Sequence, residues 1–263
     1  MWVMKIILFL ILIDLSCFAA EERIISLSPA LTELVCQLGC EKQLIGRSDV
    51  CNYPESIAKL PIAGRFADPY VEHIIKMKPT IVITNDLINP NIRKTFEKCG
   101  IKTLMMQCRN INEYKQCVKK LSSILNVPEA GEKELKRIDE KLAKKYKPLN
   151  VKVLWVIWDS PLMIAGKNSL PDELLRLAGV ENVAATVPQP YFKCSFDWLL
   201  KQKTDIIVWT ASPEGYKKHR FWKKLSAVKN KKIIENLDHD LIQRPGPRIF
   251  DGIELLRKKI EEL

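Results

Sequence analysis

The chain has 263 residues, is 47% hydrophobic and 28% charged, and carries a formal net charge of +11. Its length allows one large domain or two of ordinary size, and its apolar content excludes a disordered chain. The basic residues are interleaved with acids, as from Glu132 to Lys141, which marks solvated helix faces; the densest basic stretch, 217–232, contains no nucleic-acid module, so nucleic acid is excluded as a partner.

Lys5, an unbroken apolar run over 6–13 and the small residues Ser16, Cys17, Ala19 and Ala20 read as a secretory signal over 1–19, too short in its apolar part to span a bilayer. The mature protein is expected outside the cytoplasm. Two processing routes stay open. Cleavage after Ala19 would release a soluble protein, whereas Leu15-Ser16-Cys17 resembles part of a bacterial lipobox and would be lipidated at Cys17, although Asp14 stands where that motif prefers an aliphatic residue. Seven cysteines follow the signal, an odd number without any CxxC, so zinc is not expected; one or two disulfides among buried free thiols are compatible with the count, and their connectivity is open.

Residues 23–27 read as a buried strand. Ser28-Pro29 is a good N-cap and first-turn pair, Leu31, Leu34, Val35 and Leu38 share a helical face, and Gly39 can end that helix. A strand over 44–46 and a loop through Asn52-Tyr53-Pro54 follow. A helix starting at Asp68-Pro69 carries Glu72 in its first turn, then come a strand at 81–84, a helix at 90–99, a strand at 102–106 and a helix at 112–125. Strands alternating with helices imply a mainly parallel sheet covered on both faces. After Pro128, residues 129–147 form a charged helix with the stripe Leu135, Ile138, Leu142 and Tyr146, read as a stiff spine between lobes. The second half repeats the pattern with strands at 151–157 and 162–165, a helix at 171–178, a helix capped by Ser195 and containing Asp197, strands at 206–209 and 232–235, and a last helix from Pro247.

The repetition is visible in the letters. Residues 72–84 return 125 positions later as 197–209, and 33–39 resemble 173–179, in the same order. The expected fold is α/β: two lobes, each a mainly parallel sheet flanked by helices, joined by one long rigid helix with a ligand cleft between the lobes. The lobes are expected at 20–127 and 150–263, with the linker helix at 128–149.

The segments Arg23 to Leu34, Asn52-Tyr53-Pro54 and Lys78 to Ile83, with Ala165 to Ser169 and Gly179 to Val183, resemble the periplasmic substrate-binding proteins of ABC importers for cobalamin, haem and ferric siderophores, above all the cobalamin-binding members. The resemblance runs through almost all of the mature chain. It implies a monomer that carries cobalamin or a related corrinoid as transported ligand, needs no cofactor, and docks on a membrane permease coupled to an ATPase. It also implies that Glu72 and Asp197, one per lobe, enter arginine pockets of the permease; the bland alternative is that each only stabilises its helix N-terminus. By the same resemblance Tyr53, Phe66, Tyr191, Asp240 and Arg244 match ligand-contacting positions. Trp158, at a strand end, is a further candidate wall that can equally be core, and Asp240 with Arg244 can equally be a local ion pair. Phe66 and Leu241 replace aromatic residues of the family pattern, a tryptophan at the first.

Competing chemistries leave weaker traces. His73, His219 and His239 lack ligand-like spacing for a metal site. Haem would need an axial Tyr or His, for which Tyr53 or Tyr191 can serve, and haem and ferric siderophores are the alternative cargoes. A secreted α/β enzyme would need a nucleophile elbow, phosphate loop or dinucleotide fingerprint; the chain has none, and Ser28 lacks an evident His-Asp partner.

Overall fold

A computed structural model describes residues 22–87 and 89–263. The signal over 1–19 and Cys17 lie outside the described residues.

The first lobe is built on a six-stranded sheet: β1 (Ile24–Ser26), β2 (Leu44–Ser48), β3 (Ile62–Arg65), β4 (Asp68–Pro69), β5 (Ile81–Thr84) and β6 (Lys102–Met105), in the order β4-β3-β2-β1-β5-β6. All its neighbours are parallel except β3 and β4, which form an antiparallel hairpin. Helices α1 (Pro29–Gln37), α2 (Val71–Met77), α3 (Asn91–Lys98) and α4 (Ile111–Ile124) complete this lobe, and α5 (Pro128–Ala143) follows. The second lobe contains β7 (Lys152–Asp159), β8 (Leu162–Ala165), α6 (Leu170–Leu177), β9 (Glu181–Asn182), β10 (Tyr191–Lys193), α7 (Phe196–Leu200), β11 (Ile206–Trp209), α8 (Gly215–Lys218), α9 (Ser226–Lys229) and β12 (Ile233–Ile234). Its sheet runs β10-β8-β7-β11-β12, with β9 also on β7; β7, β11 and β12 are parallel, and β8 is antiparallel to both neighbours. Two terminal helices, α10 (His239–Ile242) and α11 (Ile249–Glu261), end the chain.

Both sequence echoes are structural. Helices α1 and α6 are capped by the Ser28 and Ser169 hydroxyls, which accept from the amides of Leu31 and Asp172, and both are followed by a left-handed glycine, Gly39 at φ 77° and Gly179 at φ 75°. The other echo gives the helix-to-strand pairs α2–β5 and α7–β11.

Strand alternation sorts the core into layers. Ile24 of β1 and Val153 and Trp155 of β7 join one large apolar cluster, while Ile25, and Leu154 and Val156, turn to clusters on the outer faces of their own lobes. The large cluster includes Leu34 of α1, Leu121 of α4, Ile138 of α5, Leu174 of α6 and Leu256 of α11, so one apolar body is shared by both lobes. Such packing resists wide hinge motion, since opening would expose well-packed side chains. Buried Glu134 of α5 reinforces it, accepting from Tyr114 Oη at 2.6 Å and Gln37 Nε2 at 2.9 Å and pairing with Arg137 at 2.7 Å.

Three elements differ from the sequence reading. The spine expected over 129–147 ends at Ala143, because the next residues are drawn into the second lobe: Leu149 N donates to Gly179 O at 2.9 Å and Arg257 Nη1 to Lys147 O at 2.9 Å. Asp68-Pro69 does not open a helix. It is a strand pressed on β3, where an added Cβ on Gly64 would lie 2.7 Å from Pro69 Cα, and α2 begins only at Val71. The second sheet is mixed because the edge strand β10 and the β7–β8 hairpin are antiparallel.

Gly252 of α11 fixes where α10 lies, since a Cβ there would stand 2.3 Å from the Leu241 carbonyl oxygen. Gly252→Ala is therefore expected to lower stability by about 2 kcal/mol, as a backbone carbonyl must move to relieve the overlap. Urea unfolding measures it, and an unchanged midpoint contradicts this close approach.

Candidate functional site

Residues that follow the first-lobe strands form one wall of a cleft between the lobes. Ser28 after β1, Asn85 and Asp86 after β5, and Gln107, Cys108 and Arg109 after β6 line a recess of about 600 Å³ together with Phe66, Val50, His239, Asp240 and Arg244. The carboxyl ends of parallel strands are where open α/β sheets place ligands. This wall is cross-tied: Ser28 Oγ donates to Asn85 Oδ1, Asn85 Nδ2 donates to Met106 O at 2.9 Å, and Gln107 Nε2 donates to Asn85 O at 3.1 Å. Phe66 occupies the two-residue turn of the β3–β4 hairpin, beside Ala67 at φ 56°, and is 51% exposed.

A second recess of about 450 Å³ continues the first, sharing Cys108, Arg109, Gln243 and Pro245 and adding Asn168, Ser169, Leu170 and Tyr191 from the second lobe. Tyr191 lies on the edge strand β10 opposite Ala165. Burial pushes its phenol above the usual range, partly offset by a hydrogen bond from the Leu170 amide. Arg109 is held by Glu113, whose carboxyl is drawn below its ordinary value chiefly by the hydrogen bond from that guanidinium. Exposed aromatic rings facing polar groups across a cleft suit a broad, mostly apolar ligand with hydrogen-bonding arms.

Asp240 and Arg244 sit where the terminal segment of the second lobe crosses to the first. Arg244 Nη2 meets Asp240 Oδ1 at 2.5 Å, Arg244 Nη1 donates to Asn52 Oδ1 at 2.8 Å, and Asn52 Nδ2 donates to Asp240 Oδ2 at 2.8 Å. The pair is thus an interlobe bridge as well as part of the wall. Four residues on, Arg248 forks onto Glu33 at 2.9 and 2.7 Å, and its guanidinium is raised above its ordinary value, chiefly by that hydrogen bonding. Tyr53 stacks on Arg248, 3.9 Å from ring centroid to guanidinium carbon, and lines a separate recess of about 440 Å³ with Glu33, Arg137 and Asp251.

The structure thus brings Phe66, Tyr191, Asp240 and Arg244 to two adjoining recesses and places Tyr53 against Arg248 in a third. Trp158, at the end of β7, is 56% exposed and donates from Nε1 to Ser160 O at 2.8 Å; it lines neither cleft recess. Glu72 and Asp197 are exposed in the first turns of α2 and α7. Each helix returns antiparallel to the strand it precedes, so each acid lies toward the carboxyl edge of its sheet. Asn52, Asn85, Arg109 and Gln243 were missed by the sequence reading. Asn52 belongs to the Asn52-Tyr53-Pro54 motif, and Asn85 directly follows β5, so their positions were the available signal. His239 lines the cleft, its Nδ1 accepting from Gln243 Nε2 at 3.0 Å, and no cluster of three or more His, Cys, Asp or Glu able to hold a metal occurs among the described residues.

Comparison with known proteins agrees with this architecture. A family model described as periplasmic binding protein matches residues 24–238, and the chain belongs to that family. It is 28% identical over 255 residues to a vitamin B12-binding protein of Vibrio vulnificus (strain CMCP6), covering 93% of this chain and 92% of the relative. A vitamin B12-binding protein of Photorhabdus laumondii is 28% identical over 267 residues, covering 98% and 95%. Among solved structures, the periplasmic haem-binding protein HutB of Vibrio cholerae superposes with a TM-score of 0.80 at 19% identity, over 91% of this chain and 98% of HutB. The periplasmic vitamin B12-binding protein BtuF of Vibrio cholerae gives 0.70 at 23% identity, over 92% and 97%. These likenesses establish the two-lobed fold. The family works outside the cytoplasm, and no helix among the described residues is long and apolar enough to cross a membrane.

Proposed function

We propose that the chain is the extracytoplasmic substrate-binding protein of an ABC importer, and that it captures cobalamin or a related corrinoid in the interlobe cleft and delivers it to a membrane permease. The observation that carries the reading is sequence likeness to vitamin B12-binding proteins over nearly the whole of both chains. Phe66 and Tyr191 would flank the macrocycle, with Asp240, Arg244 and the cleft amides near its side arms. Trp158 and Tyr53 would contribute only to parts of the ligand reaching beyond the two recesses. The lobes are taken as 20–127 and 150–263, joined by the segment 128–149, which is helical to Ala143 and tied to the second lobe from Lys147 on; the protein is taken as a monomer without catalytic activity, and export as directed by residues 1–19.

Haem is the second reading, favoured by the fold neighbour HutB. An iron-ligating tyrosine acts as phenolate, and Tyr191 is the tyrosine that lines the cleft recesses. Sequence likeness to vitamin B12-binding proteins favours the corrinoid. Cyanocobalamin is expected to bind the purified protein in calorimetry and change its visible spectrum, and Phe66→Ala or Tyr191→Ala is expected to weaken binding about tenfold through lost aromatic contact. A haem Soret band without any cobalamin response would reverse the assignment.

A further inference from the structure

The two cleft recesses carry a charge pattern that their shape does not require. Their walls hold three carboxylates, Asp86, Glu113 and Asp240, against two guanidiniums, Arg109 and Arg244. Both guanidiniums are already engaged. Arg244 is 15% exposed and gives Nη2 to Asp240 Oδ1 at 2.5 Å and to Val50 O at 3.2 Å, and Nη1 to Asn52 Oδ1 at 2.8 Å. Arg109 is far more exposed, but Glu113 holds the edge that a carboxylate would grip: Nη2 meets Oε1 at 2.7 Å and Nε meets Oε2 at 3.1 Å. Asp86 is in the opposite situation. It is exposed two residues beyond β5, its Oδ1 accepts from the Leu87 amide at 2.7 Å, and it forms no ion pair among the described residues. His239 adds no cation, because accepting at Nδ1 from Gln243 leaves its imidazole uncharged. The remaining polar lining is neutral. Asn85, Gln107, Asn168 and Gln243 bring primary amides to the recesses, and each amide offers both donors and an acceptor.

We propose that this cleft selects a ligand whose polar arms are uncharged amides and rejects the same body bearing carboxylate arms, with Asp86 and Glu113 as the residues that set the preference. The inference rests on the corrinoid reading of the site and adds to it the chemical class of side arm that is accepted. An amide arm exchanges hydrogen bonds with water for hydrogen bonds with the cleft amides at little net cost. A carboxylate arm loses part of its hydration, meets the Asp86 charge, and finds no guanidinium edge free for a paired contact. To recruit the Arg109 edge it must displace Glu113, leaving that acid, 18% exposed, without its partner. Discrimination thus comes from a repulsive element as well as from the contacts made.

The test compares cyanocobalamin with its monocarboxylates, in which one propionamide has been hydrolysed, each isomer titrated separately into the purified protein by calorimetry. At low salt at least one isomer is expected to bind about tenfold more weakly than cyanocobalamin and none more tightly. The gap should shrink to about threefold in high salt, as screening weakens the repulsion. Asp86→Asn should narrow the gap by removing the repelling charge. Glu113→Gln should narrow it by freeing the Arg109 edge, while its side-chain carbonyl still accepts from the Arg109 amide, as the carboxylate does at 2.8 Å. Each variant is read as the ratio of the two Kd values in one protein, so a general loss of folding or affinity cancels and only arm selectivity registers. Equal or tighter binding of every isomer, or a ratio that neither variant moves, would overturn the inference. Binding of neither cyanocobalamin nor any monocarboxylate would end the corrinoid reading and this inference with it, whereas binding without preference ends this inference alone.

Discussion

Glu33→Ala is expected to lower stability by about 3 kcal/mol and to weaken ligand binding about tenfold, although Glu33 does not line the cleft. Its side chain is 2% exposed and accepts both arms of the Arg248 fork, with Arg244 Nη1 at 3.5 Å. Truncation leaves two partly buried guanidiniums facing a void where their carboxylate stood. They are 15% and 17% exposed, so water recovers part of the loss and the lower end of the range for broken buried pairs applies. Binding should suffer because this contact pins the 244–248 segment, and with it Asp240 and Arg244, against the first lobe. Glu33→Gln keeps the shape and loses the charge, so it should cost about half as much. Thermal unfolding and a double-mutant cycle with Arg248→Ala measure the coupling, expected at about 2 kcal/mol. Additive effects of the two substitutions would show that the fork contributes no interaction energy.

The parts of this architecture that were legible in the sequence are those set by local chemistry. Ser28-Pro29 opens α1, Gly39 closes it, and the echo 72–84 with 197–209 yields two helix-to-strand units, because caps and periodicity act within a few residues. The failures are cases of strand pairing and tertiary contact overriding helix letters. Asp68-Pro69 has the letters of a helix start, but Gly64 permits close approach and Tyr70 N donates to Ala63 O at 2.9 Å, so the chain forms a hairpin first. That hairpin holds Phe66 at its tip, so the position of one cleft wall was hidden with it. Tyr146 continues the helical stripe of 135–142 by spacing, yet the chain leaves the helix and Tyr146 packs beside Arg257, 5.5 Å from its ring centroid. The candidate site shows the same division. Family resemblance pointed to Asp240 and Arg244, whereas the fork from Arg248 to Glu33 joins residues 215 positions apart and has no local signature. Arg248 also takes the Tyr53 ring, a contact the Asn52-Tyr53-Pro54 motif does not announce.

The shared core and the polar bridge have a common mechanical consequence. Leu34, Ile138, Leu174 and Leu256 belong to one apolar cluster, and Glu33, Asn52, Asp240, Arg244 and Arg248 tie the lobes beside it. A protein joined this way presents its two lobes at a nearly fixed spacing. A receptor that reads one point on each lobe can then recognise the pair as a ruler, and small changes of lobe angle on ligand capture become readable.

On that reading the double variant Glu72→Arg/Asp197→Arg is expected to cut ligand uptake more than a hundredfold while leaving ligand affinity and Tm nearly unchanged. Both carboxylates are exposed, neither lines a cleft recess, and they occupy matching first-turn positions in the two echoed helices. The competing role is stabilisation of the helix N-termini, worth about 0.3–1 kcal/mol each. These helices are short, seven residues in α2 and five in α7, and Ser195 already caps the second by accepting from Trp198 N at 3.2 Å. A purely dipolar role therefore predicts a small loss of Tm with normal uptake, the reverse pattern. Each single reversal should reduce uptake about tenfold if the contacts act independently, and the neutral pair Glu72→Gln/Asp197→Asn should fall between single and double reversal, since it removes attraction without adding repulsion. Uptake of labelled cobalamin in cells carrying the cognate permease, measured beside calorimetric binding to each purified variant, separates docking from capture. Full uptake by the double reversal would end the docking assignment and leave the acids as helix stabilisers.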